Sequence, residues 1–352
     1  MNNLYLPSGF FDDEYIFNKV VQKNVHTVLM LGSRQVGKTY VTLKIMLKNK
    51  LQHVLLRRTT DEFKMIAANI ELSPYKVFEP DYKVGLFRQG DGICRICDYL
   101  LDEKGAAVPG DMRGIATSFA QISHMRGFFG GSFTDLVFDE FIPEKGVITR
   151  KTEGDSYLNA YTTINGNREI SVPRRPPLRA WLLANSNRID SPILDKLGII
   201  DDILYMRRKG LEELITDTGE YIIQPASSKI IEARADTALM RSISKKSEFY
   251  RMAINNEFSY DESPYIKQIS LKGARPAWSY DEYLYCWQKG DGFYICRAPF
   301  KSINAPAYAS GATGRERLYL EHMYMKQYYY AGLVSFADLK LIADFKNLFN
   351  IA

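Results

Sequence analysis

The sequence predicts an α/β fold: a largely parallel sheet with helices, then a helical linker, then a small α+β domain. Three observations predict it. Gly32-Ser33-Arg34-Gln35-Val36-Gly37-Lys38-Thr39 reads G-x-x-x-x-G-K-T, a phosphate-binding loop pattern that belongs between a strand and a helix. Short apolar runs alternate with helically spaced segments up to about residue 205. Beyond that point the alternation fades, and 352 residues are enough for two cores.

The apolar run at residues 26–31 suits a buried strand. Residues 40–51 carry Val41, Ile45, Leu47 and Leu51 at helical spacing. Between them, Gly32 and Gly37 let the backbone curl so that its N–H groups converge on phosphate oxygens. A helix opening at Lys38 adds its positive end. Lys38 would reach the β- and γ-phosphates of a nucleoside triphosphate such as ATP, and the Thr39 hydroxyl would ligate Mg²⁺. The aromatic and acidic residues 1–25 either pack near the base of that nucleotide or simply pack.

Residues 52–58 read as a second buried strand ending in Arg57 and Arg58, with Thr60 capping the next helix. The two arginines either face a ligand at a strand C-terminus or sit in a solvated basic loop. Residues 82–100 form a hairpin turning at Gly90-Asp91-Gly92. Cys94 and Cys97 fall three apart on one of its strands and face opposite sides, so a zinc or redox pair is not expected.

Asp135-Leu136-Val137-Phe138-Asp139-Glu140 is an apolar run ending in two carboxylates. An Asp at such a strand end holds Mg²⁺ through water, and the Glu after it can polarise an attacking water. Adjacent carboxylates are unfavourable unless a cation offsets them, and Mg²⁺ would do so. Residues 155–164 read as a helix, and residues 172–177 as a rigid basic connector. Residues 179–185 read as a strand whose last residue, Asn185, either senses a γ-phosphate or merely ends the strand.

After residue 205 come a turn at Asp217-Thr218-Gly219 and a helical stretch at 230–258 with Arg234, Arg241, Lys245, Lys246 and Arg251. The runs 278–287 and 293–297 pair as a hairpin across Gly290-Asp291-Gly292. Helices follow at 318–331 and 336–349. The expected division is 1–205, nucleotide-binding domain; 206–260, linker; 261–352, C-terminal domain. No apolar run is long enough to span a membrane and no signal peptide opens the chain, so an intracellular protein is expected. The net charge of +5, with lysines and arginines clustered, permits a polyanion partner.

In this order the chain resembles the phi-29-type phage DNA-packaging ATPases, small relatives of terminase large subunits. The resemblance rests on the loop Gly32 to Thr39 with a positive residue, Arg34, inside it, and on Leu55-Leu56-Arg57-Arg58. It rests equally on Leu136-Val137-Phe138-Asp139-Glu140-Phe141-Ile142, Asn167-Arg168-Glu169, and Leu182-Leu183-Ala184-Asn185. It implies an ASCE P-loop fold with one strand inserted between the loop strand and the acidic strand. It also implies a ring of five on the portal of a procapsid, moving double-stranded DNA inward with ATP, in the host cytoplasm and in some relatives with a packaging RNA. The C-terminal domain would be ribonuclease H-like without nuclease function, in keeping with strand-like runs that carry no acids except at their margins.

The resemblance further implies a trans-acting arginine. Arg168 lies near that segment, although Gly166 stands where a second arginine is expected, and Arg126 lies upstream of the acidic strand. DNA-facing candidates are Lys64, Lys145, Arg150 and Lys151. Two other readings remain: a cellular nucleic-acid ATPase of helicase or DNA-transfer type, and a nucleotide-gated structural subunit of a portal. Glu140 speaks against the second.

Overall fold

The structure, a computed structural model, describes residues 3–90, 92–122, 131–143, 152–185, 189, 191–225, 229–245, 247, 250, 265–300 and 305–351. The chain divides into two compact units, Met1–Tyr260 and Asp261–Ala352.

The first unit opens with α1 (Asp13–Gln22), capped by Asp12, whose carboxylate accepts from the N–H groups of Glu14 and Tyr15. β1 (Thr27–Gly32) is buried along its whole length, as an unbroken apolar strand in a parallel sheet should be. It leads into α2 (Lys38–Lys48). Asp13 ties α1 to α2 through Lys44 at 2.8 Å and Lys48 at 3.1 Å. β2 (His53–Arg57) follows, then α3 (Thr60–Ile66). The cap of α3 is Thr59 rather than Thr60: its hydroxyl accepts from the Glu62 N–H, and Glu62 reaches back to the Thr59 N–H.

β3 (Val84–Gly90) and β4 (Ile93–Leu101) form the expected hairpin, and β5 (Ala107–Ser118) runs back beside β4 into α4 (Phe119–Ile122). Cys94 and Cys97 are both buried in β4 and free. The ladder shifts register on either side of Cys97, so simple alternation across the strand does not hold there. β6 (Asp135–Asp139), α5 (Glu153–Asn165), β7 (Arg179–Asn185), α6 (Pro192–Leu197) and α7 (Ile200–Lys209) continue the alternation.

The sheet does not stop at residue 205. β8 (Glu213–Ile215) and β9 (Glu220–Ile223) extend it, β9 lying parallel to β1 from Thr27↔Glu220 to Met30↔Ile223. Residues 206–225 are thus part of the sheet domain and not a linker. Four residues are too few to show a strand period in sequence. Burial makes them one: all four are buried, with Lys19 of α1 over the Tyr221 ring, and α1 also holds β8, where Tyr15 donates to Glu213 at 2.7 Å and Lys19 pairs with the same carboxylate at 2.7 Å. The long helix expected over 230–258 is, among the described residues, two short ones, α8 (Lys229–Ala235) and α9 (Ala238–Ser242).

The strand order is β3-β4-β5-β2-β6-β7-β1-β9-β8. From β5 to β9 the strands are parallel. One strand, β7, stands between the loop strand β1 and the acidic strand β6.

In the second unit the run 278–287 is two strands, not one. β10 (Arg275–Tyr280) and β11 (Leu284–Lys289) are joined by a turn in which Asp281 and Glu282 have positive φ, and β12 (Gly292–Cys296) completes an antiparallel meander. β13 (Ala307–Tyr308) lies parallel to β10, and β14 (Val334–Phe336) parallel to β12. The helices are Ala312–His322, Met325–Tyr330 and Leu339–Leu348. Trp278, Phe336, Phe345 and Phe349 are fully buried and in ring contact. Among the described residues, no three His, Cys, Asp or Glu side chains group as metal ligands.

Candidate nucleotide site

Strand register brings the motif residues together. Gly32 lies opposite Asn185, and Asp139 opposite Leu183. The ends of β1, β7 and β6 therefore meet at one edge, with Arg57 ending β2 on the far side of β6. Ligands of open α/β sheets collect at such carboxyl ends. The cleft there has a volume of about 320 Å³ and is lined by Arg34, Lys38, Thr39, Asp139, Glu140 and Asn185 among others.

The loop runs from β1 to the N-terminus of α2. Gly37 caps that helix with φ of 92°, a conformation that side-chain-bearing residues rarely adopt, so the first helical N–H groups are free of any side-chain cap. Lys38 is 7% exposed and donates to the carbonyl oxygens of Gly32 at 2.9 Å and Ser33 at 2.8 Å, and to Asn185 Oδ1 at 3.3 Å. All three acceptors are neutral. Burial pulls the Lys38 ammonium down to a pKa of about 7, against the opposing pull of Asp139 and Glu140. The buried Ser33 hydroxyl has no hydrogen-bond partner. Tyr40, also at the cleft, stacks on Phe78 with centroids 4.9 Å apart.

Opposite the loop, the Thr39 hydroxyl donates to Asp139 Oδ1 at 3.0 Å. Burial raises the Asp139 pKa, Glu140 adds to the rise, and Arg57 opposes it. Glu140 follows with φ of 57°, a left-handed conformation that costs a non-glycine residue about 1–2 kcal/mol. The Phe141 N–H is then bonded to Leu183 O at 3.1 Å. Arg57 forks across the acid pair, with Nη1 to Asp139 Oδ2 at 2.6 Å and Nη2 to Glu140 Oε2 at 2.9 Å. Arg58 turns the other way, donating to Phe141 O and Glu153.

The residues present fit a polyphosphate with a hard divalent cation. A bare helix N-terminus and a buried ammonium on neutral acceptors face the anion side. A hydroxyl and a carboxylate oxygen adjoin it, the donor types Mg²⁺ takes.

Of the sequence-derived candidates, Arg34, Gln35, Gly37, Lys38, Thr39, Asp139, Glu140 and Asn185 line one cleft, with Gly32, Ser33 and Val36 completing the loop. Arg168 is elsewhere. It is buried, and its guanidinium donates to Phe133 O at 2.7 Å, Asn165 O at 2.9 Å and Ile164 O at 3.2 Å. It therefore ties the end of α5 to the residues before β6, away from its own chain's loop. Lys64 is exposed on α3, beside a separate cleft shared with Arg88 and Gln121. Arg126, Lys145, Arg150 and Lys151 lie outside the described residues.

Sequence reasoning left Arg57 undecided between ligand and solvent and did not single out Tyr40. Arg57 could have been placed from the inserted strand: if β7 separates β1 from β6, the strand on the other side of β6 ends beside the acid pair.

The inserted strand, the G-x-x-x-x-G-K-T loop and the acidic strand end together define an ASCE P-loop fold. The chain has the fold of phage packaging motors. It is similar in structure to the bacteriophage Phi-29 viral genome packaging motor assembly, with a TM-score of 0.60 and 17% identity over 98% of this chain and 99% of that one. It is similar also to the Phi-28 gp11 DNA packaging motor, with a TM-score of 0.55 and 16% identity over 95% and 96%. No protein-family model and no curated protein matches the sequence.

Proposed function

We propose that this chain is an ATPase that drives double-stranded DNA into a viral procapsid, acting as a ring, of five by resemblance, on the portal vertex in the host cytoplasm, with a packaging RNA where its relatives use one. The observation that carries the reading is the acid pair Asp139-Glu140 set against the loop hydroxyl Thr39, in a chain that follows the packaging-motor fold over nearly its whole length.

The loop N–H groups and Lys38 bind the phosphates of ATP, and Asn185 stands beside Lys38 where it can register the γ-phosphate. Thr39 and Asp139 hold Mg²⁺, which supplies charge neutralisation on the phosphate oxygens. Glu140 orients and deprotonates the attacking water. While Arg57 is paired with Glu140, the guanidinium occupies the carboxylate oxygen Oε2 that would otherwise be open to a water. Arg57 therefore holds the acid pair together and must release Glu140 for turnover. Lys64, exposed on α3, contacts DNA phosphates, and so do Lys145, Arg150 and Lys151, which are candidates from the sequence. A motor must hold every sequence alike, so phosphate contacts dominate its grip.

Lys38 makes nucleotide binding pH-dependent. Without nucleotide its amine is mostly neutral at about pH 8, because its pKa lies near 7. Phosphates favour the ammonium form and raise that pKa. Binding at pH 8 therefore takes up a proton, and affinity falls as pH rises above 7, by at most about tenfold per unit. Calorimetric titrations at pH 8 in two buffers of different ionisation heat measure the uptake. Identical heats in both buffers count against Lys38 as the phosphate ligand.

The DNA reading is tested by ATPase rate and binding. Double-stranded DNA of unrelated sequences should stimulate hydrolysis equally. Its affinity should fall on the order of 10³-fold between about 50 and 200 mM salt if six or more phosphates are contacted. A salt-insensitive or strongly sequence-selective response rules out a sequence-blind DNA motor.

A further inference from the structure

An arginine distant in sequence touches the loop from a segment that no motif marks. Arg234, in α8, donates from Nη1 to the main-chain carbonyl of Arg34, inside the phosphate-binding loop. Burial holds its guanidinium below the ordinary arginine range, and its charge is close enough to help lower the Lys38 pKa. The approach of this part of the chain to the loop is built in. At Gly32 an added Cβ would meet Pro225 Cγ at 2.9 Å, so the exit from β9 passes directly over the start of the loop. At the other end of α8, Lys229 Nζ donates to Pro7 O at 3.2 Å. In sequence, α8 is the first helix after the sheet ends, on the stretch that runs to the second unit at Asp261.

The carbonyl of Arg34 is an uncharged acceptor at the rim of a cleft suited to a polyphosphate. A hydrogen bond from guanidinium to a phosphate oxygen is about twice as strong as one to a neutral carbonyl, and often bidentate. Filling the cleft with a triphosphate gives Arg234 a better acceptor within reach of its present one. The diphosphate lacks the outermost group and its charge.

We propose that Arg234 is a nucleotide-sensing residue: it exchanges the Arg34 carbonyl for the terminal phosphate of a bound nucleoside triphosphate, and so carries occupancy of the site into α8. The proposal rests on the reading of the loop as an ATP site. It assigns to Arg234 discrimination between tri- and diphosphate, and to residues 229–242 a response that differs between the two.

The test compares wild type, Arg234→Gln and Arg234→Lys in the full chain, with ADP and the slowly hydrolysed ATPγS as ligands. Arg234→Gln should weaken ATPγS about tenfold, as the loss of one charge-assisted hydrogen bond does, while ADP affinity stays within about twofold. Arg234→Lys should recover part of the difference. Amide hydrogen exchange over residues 229–242 should differ between ATPγS and ADP in wild type, and the difference should vanish in Arg234→Gln. Equal weakening of both nucleotides marks Arg234 as structural and overturns the proposal. So does identical exchange with both ligands in wild type, a result that needs no variant. A wild-type chain that binds neither nucleotide overturns the ATP site itself, an outcome distinct from either.

Discussion

Glu140→Gln should bind ATP as wild type does and hydrolyse it about 10²–10⁴ times more slowly, the usual contribution of a positioned general base. The carboxylate lies at the cleft rim with its side chain 41% exposed, paired to Arg57. Its removal costs little stability, because an ion pair that open to water contributes about 1 kcal/mol or less. Lys38→Ala is the complementary variant. Lys38 stands among the loop carbonyls, and in the proposed ATP site it is a ground-state phosphate ligand, so its loss should appear as lost ATP affinity. Equilibrium binding and single-turnover hydrolysis separate the two. A Glu140→Gln protein with near wild-type turnover would remove Glu140 from the chemistry and leave the acid pair as a metal-holding device only.

Mixed rings should recover ATPase activity from two dead subunits. A trans-acting arginine is worth on the order of 10³–10⁵ in rate, so Arg168→Ala or Arg126→Ala alone should abolish turnover if that residue acts on the neighbour's ATP. A subunit lacking the arginine keeps an intact site, and a Glu140→Gln neighbour keeps its arginine. Some interfaces in the mixture then pair a good site with a good arginine. The structure sharpens the test for Arg168. Its guanidinium caps three carbonyl oxygens, and stranding buried acceptors costs about 1–3 kcal/mol each. Arg168→Ala should therefore also lower the melting temperature, and a trans role for Arg168 requires those bonds to be released in the ring. A destabilised Arg168→Ala subunit that assembles normally but complements nothing would assign it to structure alone. If Arg126→Ala fails too, the search moves to Arg150, Arg174 and Arg175. Arg175 is exposed and already donates to Gly131 O.

The site was legible where chemistry forces a local pattern. The phosphate loop needs glycine at a positive φ, a lysine at the helix start and a hydroxyl after it, all within eight residues, and Gly37, Lys38 and Thr39 sit as that pattern requires. The acidic strand is legible for a similar reason: an apolar run ending in two acids reads as a buried strand that stops at a polar edge, as Asp135–Asp139 does. The β3–β4 hairpin was legible from its turn glycines. The turn between β10 and β11 was not. It places Asp281 and Glu282 at positive φ without a glycine, so no residue type announced it.

By itself, then, the sequence determined the α/β class, the strand–loop–helix around the G-x-x-x-x-G-K-T pattern, the acid pair at a strand end and the break near residue 261, because each is written in contiguous residues whose spacing follows from backbone geometry. Only the tertiary structure decided what depends on partners distant in the chain. It placed β9 beside β1 and so moved residues 206–225 into the sheet. It set Arg57 across Asp139 and Glu140, some 80 residues away. It buried Arg168 against carbonyls and brought Arg234 to the loop carbonyl of Arg34. An arginine carries the same charge and the same five donors wherever it stands. Whether it meets a carboxylate, a carbonyl or water is settled by which strands lie side by side, and no local spacing encodes that.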